Sequence, residues 1–177
     1  MENYVDWKST EIFEDGEENY FKEIIWRNHK VKVFLFWDNE SRFTKKIIIS
    51  KANNLLENKI DYYLEKTKDT IIECLMNNSG PSEDTPKIIL RHIEFYGIEV
   101  KKKLLKIIGK NDTEKILQKK IVTKEMLKKL LESEKIDIDV EYEEIIVNMY
   151  EGKFFIHELF TVVWDSLNKK IKEINIC

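Results

Sequence analysis

Alternating apolar and polar residues near the N-terminus predict a β-hairpin. The runs 20–26 and 31–37 are rich in aromatic and β-branched residues, and the short connector 27–30 separates them. One face of the second run carries Val31, Val33, Leu35 and Trp37, whereas the other carries Phe34 and Phe36. A strand that is apolar on both faces predicts a central strand covered on both sides.

From Ser41 onwards the apolar spacing changes to three and four residues, which is the period of an amphipathic helix. Two such stripes follow each other and meet in the polar stretch 56–59, which predicts a joint between two helices. The clearest break in the chain is the segment 77–86, because it holds both prolines.

A third helical stripe covers residues 87–108, and Gly97 interrupts it. Glycine costs about 1 kcal/mol in a helix interior, so the pattern predicts two shorter helices or a helix and an irregular piece. Gly109 is predicted to end this helical stretch. A short helix is predicted to follow, with Asn111 or Asp112 as its N-cap, and Thr123 is the predicted N-cap of another helix.

After Ser133 the period returns to two, and the run 135–143 alternates aliphatic residues with carboxylates, which is typical of a half-exposed strand. Three further apolar runs with tight connectors predict an antiparallel meander. The chain is therefore expected to be α+β, with an N-terminal β-hairpin, central helices, and a C-terminal antiparallel β-meander forming one sheet with the hairpin. We expect a single domain over 1–177 with a helical insertion at about 79–120.

Composition narrows the function classes. The 177 residues are 42% hydrophobic and 36% charged, with a net charge of −3, so the chain can bury a core and lacks the basic balance of a nucleic-acid-binding domain. Neither a signal peptide nor a membrane-spanning run is present in the sequence, which predicts a cytoplasmic protein with no membrane partner. The sequence does not indicate an oligomeric state.

His157 and Glu158 form the pair that most resembles a metal-binding or acid–base site. They begin like a zinc-protease helix motif, but Thr161 stands where the second histidine would be. The local pattern is β, which places the two side chains on opposite faces. We interpret His157 as a structural, hydrogen-bonding residue; a role as a ligand or general base is the alternative.

The sequence gives even less evidence for other catalytic or metal sites. The three histidines have no metal-ligand spacing, Cys74 lies on the apolar side of a predicted helix, and the five glycines are scattered. We therefore expect no catalytic residues, no metal and no cofactor.

Carboxylates cluster in two places, and each cluster is either a solvated face or a patch that meets a basic partner. The residues of the candidate patch are Asp15, Glu17, Glu18, Asp137, Asp139, Glu141, Glu143 and Glu144.

Three stretches carry a resemblance to a family: 26–40 leading into 52–78, 122–152, and 154–176. The chain resembles a bacterial domain-of-unknown-function family of small α+β proteins, often encoded beside polymorphic toxins and taken as candidate immunity proteins. In that family the last stretch has an aromatic–Gly–His core. Here Ile156 replaces that glycine, and His157 matches the histidine, which the resemblance implies is a structural signature residue.

The resemblance implies a non-catalytic protein-binding inhibitor, an immunity-type protein that neutralises a bacterial toxin by occluding it. One alternative is a phage-encoded anti-defence protein that inhibits an RNA-guided nuclease. A second alternative, from another class, is an enzyme that uses His157. In the first two cases the expected partner is a protein, a toxin or a defence nuclease, and not nucleic acid.

Overall fold

A computed structural model describes residues 8–9, 20–36, 42–77, 85–152, 154 and 159–176. The described residues form a seven-stranded sheet and a set of helices. The strands are Lys8–Ser9 (β1), Tyr20–Trp26 (β2), His29–Leu35 (β3), Ser133–Val140 (β4), Glu144–Gly152 (β5), Phe160–Asp165 (β6) and Lys170–Ile176 (β7). The α-helices are Arg42–Asn54 (α1), Ile60–Asn77 (α2), Thr85–Ile108 (α3), Lys110–Lys119 (α4) and Lys124–Leu130 (α5).

The strands follow one another across the sheet in chain order. Each neighbouring pair is antiparallel except β3 and β4, which run parallel and are connected through the helices. A parallel pair needs a long crossover, and the helical segment supplies it. This arrangement confirms the predicted α+β fold, in which the N-terminal hairpin and the C-terminal meander share one sheet.

The hairpin between β2 and β3 turns more tightly than the sequence predicts. Arg27 and Asn28 alone form the turn, with φ of 46° and 70°, and Trp26 pairs with His29. Positive φ at both central residues is the geometry of a type I′ turn, whose twist matches that of the strands. The predicted connector 27–30 was therefore too long by two residues.

The helices cover one face of the sheet, which we call the inner face. Trp164 on β6 anchors α2 there, because its indole Nε1 donates to Thr67 Oγ1 at 3.1 Å and its ring packs edge-on against Tyr63. The inner-face strand side chains of the hydrophobic core are Val31, Val33, Leu35, Ile136, Ile138, Val140, Ile145, Val147, Met149, Phe160, Val162 and Trp164.

A π-helical segment, Leu55–Lys59, joins α1 to α2 where the sequence predicts a joint. The helical path continues through this segment. The apolar stripe changes phase here because one extra residue is accommodated in the turn.

Gly97 interrupts α3 with φ 68° and ψ −145°. The predicted interruption is confirmed, and of its two alternatives the structure shows two shorter helices that meet at Gly97. Gly109, with φ 82°, ends α3 and also occupies the N-cap of α4. The prediction of a cap at Asn111 or Asp112 was wrong, because the helix already begins at Lys110. Thr123 does cap α5, and its hydroxyl accepts from the Met126 amide at 3.3 Å.

Helices α3 and α4 occupy the range of the predicted insertion. Val100, Leu104 and Ile116 from these helices belong to the same core cluster as the inner face of the sheet. The single-domain organisation over the whole chain stays a prediction.

Candidate functional site: the outer face of the sheet

The outer face of the sheet carries the side chains that alternate with the core residues. None of its described side chains belongs to the hydrophobic core cluster, and all are half-buried or exposed except Val163. The sequence predicted that β3 would be covered on both sides, and the structure corrects this. Phe34 and Phe36 are only half-buried and lie outside the core cluster.

Four carboxylates form what we call the acidic row. Asp137, Asp139 and Glu141 occupy every second position along β4 and just after it, so their side chains project to the same face. Glu144 begins β5, across the β4–β5 turn, and precedes the inward-facing Ile145. The half-exposed strand that the sequence predicts at β4 is thereby confirmed.

Hydrogen bonds from two side chains of β5 fix the two aspartates of the row. The Tyr150 hydroxyl donates to Asp137 Oδ2 at 2.5 Å, and Asn148 Nδ2 donates to Asp139 Oδ2 at 3.0 Å. Thr161 on β6 in turn donates its hydroxyl to Asn148 Oδ1 at 2.8 Å. The side chains across β4, β5 and β6 are therefore held in place before any partner arrives, which lowers the entropic cost of binding.

Burial disfavours the charged form of the two aspartates of the row. Desolvation, followed by repulsion from Asp137 and Glu141, raises the pKa of Asp139 from 3.8 to about 6, against the opposing hydrogen bond from Asn148. Desolvation also raises the pKa of Asp137, and the Tyr150 hydrogen bond and nearby lysines oppose it. Perturbed carboxylates of this kind occur preferentially at functional sites.

An aromatic cluster adjoins the acidic row. Phe21, Phe34 and Phe36 form it, with ring centroids 5.9 Å apart for Phe21 and Phe34 and 6.3 Å apart for Phe34 and Phe36. Phe34 is the register partner of Asp139 on the adjacent strand. Half-buried rings beside oriented charges resemble the anatomy of a protein interface, where aromatic residues are enriched.

A lysine on β3 borders the acidic row. Lys32 is the register partner of Asp137 on β4 and lies 3.6 Å from Glu23 of β2. Desolvation raises the pKa of Asp137, and the positive charges of Lys32 and Lys135 oppose that rise.

The predicted site residues have three outcomes. The structure brings Asp137, Asp139, Glu141 and Glu144 together, and it places Glu143 as an exposed residue of the adjoining turn. Outside the described residues lie Asp15, Glu17, Glu18 and His157. The structural role predicted for His157, and its alternative as a ligand or base, stay predictions.

Sequence reasoning missed the aromatic cluster and the hydrogen bonds that orient the row. Phe34 and Phe36 gave a signal, because they alternate with the aliphatic face of β3, but their pattern was interpreted as a second buried face. The contact between Tyr150 and Asp137 joins positions 13 residues apart and follows only from the register of β4 and β5.

Within the part of the chain that the structure describes, no group of three or more His, Cys, Asp or Glu could hold a metal ion. No helix there has the length and apolar character needed to cross a bilayer.

Comparisons with protein-family models, with curated proteins and with solved structures give no match for this chain. The family resemblance therefore stays a prediction.

Proposed function

We propose that this protein is a non-catalytic inhibitor that binds another protein through the outer face of its sheet. The observation that carries the proposal is the position of the aromatic cluster directly beside the acidic row, with Phe34 next to Asp139. Aromatic rings supply contact area in such an interface, while oriented charges supply specificity and fast association.

The chemistry of the row indicates the class of partner. Asp137, Asp139 and Glu141 present three carboxylates at alternating positions, while Glu144 is ion-paired with Lys172 of β7. An array of negative charge of this kind complements a basic surface. Enzymes that act on nucleic acids carry such surfaces, because they must neutralise phosphates. We therefore infer that the partner is a nuclease, and that the protein blocks the nucleic-acid-binding surface by occupying it.

Two biological settings fit an inhibitor of this kind. The first is immunity, in which the partner is a bacterial toxin, and it is also what the family resemblance implies. The second is a phage-encoded anti-defence protein, in which the partner is an RNA-guided nuclease. The same outer face would serve in either, so the identity of the captured nuclease separates them.

A capture experiment tests the proposal. Tagged protein is used to capture partners from a lysate of the native host, before and after nuclease treatment, and bound proteins are identified by mass spectrometry. We expect one stoichiometric protein that survives nuclease treatment and is lost at high salt, because exposed charges are screened. Capture of nucleic acid alone, or of no protein, would contradict the proposal.

A matched pair of variants localises the interface. Asp139→Asn with Glu141→Gln neutralises the row with little change of shape. Glu114→Gln with Glu125→Gln neutralises two exposed carboxylates on α4 and α5. We expect the first variant to lose most of the captured protein and the second to retain it. Equal capture by both variants would exclude the acidic row as the binding surface.

A further inference from the structure

A second, separate feature is a pocket of about 510 Å³ between α1, the β4–β5 turn and the β6–β7 turn. Its volume falls within the range of small-molecule sites, about 300–1,000 Å³. Among the residues that the structure describes, the titratable side chains that line it are Lys46, Lys51, Lys59 and Tyr142, and none of the described lining residues is a carboxylate. The pocket lies on the α1 side of the sheet and adjoins the acidic row at the β4–β5 turn, but it shares no lining side chain with the row.

One wall of the pocket is a continuous face of α1. Lys46, Ser50 and Asn54 are four residues apart from one another, so helical geometry stacks their side chains along one line. An ammonium, a hydroxyl and an amide therefore follow one another along this wall, and each can donate a hydrogen bond to an oxygen anion.

The π-helical segment brings Lys59 into the same wall. In an α-helix the residue one turn beyond Asn54 would be Asn58, four positions on. In a π-helix the repeat is i to i+5, which brings Lys59 round instead. Single π-helical turns inside α-helices occur often at functional sites.

Lys51 fixes the β4–β5 turn, which forms the wall of the pocket opposite α1. Its Nζ donates to the main-chain oxygens of Glu141, Tyr142 and Glu144, at 2.5, 3.1 and 3.2 Å. These bonds fasten α1 to the β4–β5 turn, so the position of Tyr142 over the pocket is fixed. Burial lowers the pKa of Lys51 to about 8, although the charges of Glu141, Asp165 and Glu144 oppose the shift.

Apolar groups complete the pocket. Tyr142 and Leu167 line its edge from the two turns, and both are exposed, at 52% and 83%. The β6–β7 turn that carries Leu167 is ordered by Asp165, whose Oδ1 accepts from the amides of Leu167 and Asn168 at 2.9 Å. A flat apolar group bound between these side chains would cover them both.

We propose that this pocket binds a small anionic molecule with one planar ring system, its phosphate or carboxylate on the wall of Lys46, Asn54 and Lys59 and its ring against Tyr142 and Leu167. Lys51 is a positioning residue here, because its hydrogen bonds are directed to the turn. Lys46 and Lys59 recognise the anion.

Nuclear magnetic resonance titration of the isotope-labelled full chain tests this site, with four probes used separately. The probes are adenosine 5′-monophosphate, indole-3-carboxylate, adenosine and inorganic phosphate. We expect saturable shifts for the two anionic ring compounds at the amides of Ser50, Asn54 and Ser166. Adenosine and phosphate each lack one half of the recognised chemistry, so we expect both to bind at least about tenfold more weakly.

Variants establish which lysines recognise the anion. We expect Lys59→Met and Lys46→Met each to weaken binding of the anionic ring compounds by about tenfold or more, because a charged hydrogen bond is lost. The control Lys66→Met changes an exposed lysine on α2 outside the pocket and should leave the affinity unchanged. Two independent lysine variants are used, so the test survives if one fails to fold.

Several results would overturn the proposal. These are the absence of saturable binding by either anionic ring compound, shifts at amides away from the pocket, adenosine or phosphate binding as tightly as the complete probes, and unchanged affinity in both lysine variants. None of them affects the proposed protein interface, which the capture experiment tests independently.

Discussion

The charge of Asp139 is expected to destabilise the folded protein at neutral pH, and removing it tests the account of the outer face. The carboxylate is surrounded by Asp137 and Glu141 and accepts one hydrogen bond from Asn148. Asparagine has nearly the same shape and can accept the same bond. Asp139→Asn therefore removes the charge while retaining the contact.

The size of the effect follows from the pKa. A rise from 3.8 to about 6 corresponds to about 3 kcal/mol between the two protonation states. Some solvent reaches the carboxylate and screens its charge, so we expect a gain of about 1–2 kcal/mol for Asp139→Asn at neutral pH.

The raised pKa of Asp139 also determines how its contribution to stability changes with pH. The folded state binds this proton more tightly than the unfolded chain does, because its pKa is raised. The contribution of Asp139 to stability is therefore fully present below about pH 4 and is lost as pH rises through about 6. The variant and the wild type should differ little at about pH 4, and the variant should be the more stable at about pH 7.5.

Urea denaturation followed by tryptophan fluorescence at both pH values measures these differences. Glu143→Gln is the control, since it neutralises an exposed carboxylate of the adjoining turn and should change the free energy of unfolding by less than about 0.5 kcal/mol. The reasoning is refuted if Asp139→Asn is less stable than the wild type at about pH 7.5, or if its effect is the same at both pH values.

Three further substitutions test the fold by urea denaturation. Thr67→Val leaves the buried Trp164 Nε1 without its acceptor and should cost about 1–3 kcal/mol; an unchanged midpoint would contradict that hydrogen bond. Gly97→Ala should cost about 1–3 kcal/mol through backbone strain alone, because an added Cβ meets nothing within 4 Å. A neutral result would mean that residue 97 does not adopt its positive φ. Thr123→Ala should cost about 0.5–2 kcal/mol and Thr123→Ser much less, and equal losses would argue against the cap.

Local chemistry in the sequence was enough to predict most elements. The alternation around Asp137 predicted β4, Thr123 predicted the start of α5, and Gly97 predicted the interruption of α3. Each of these signals acts within a few residues, so one chain suffices to recognise it.

The candidate site depends on contacts between distant residues, and these were not predictable. Lys51 binds carbonyls about 90 positions further along the chain. The pairing of Phe34 with Asp139 requires the parallel register of β3 and β4, which only the complete fold supplies. The apolar spacing of the sequence predicted a joint between two helices at 56–59. It did not predict that this joint is a π-helical turn, which brings Lys59 into the pocket.

Asp139 is expected to affect both stability and binding. A carboxylate that costs stability and yet is held in place by Asn148 is typical of a functional surface, where activity is maintained at the expense of stability. Asp139→Asn should therefore be more stable than the wild type and also weaker in binding.

The most direct test of the central claim is the association rate of the captured protein partner, measured at low and at physiological salt. The account predicts that Asp139→Asn with Glu141→Gln slows association and flattens its salt dependence, whereas Glu114→Gln with Glu125→Gln changes neither, because charge complementarity acts mainly on the association rate. Equal association rates and salt dependence for the wild type and both variants would show that the acidic row is not the binding surface.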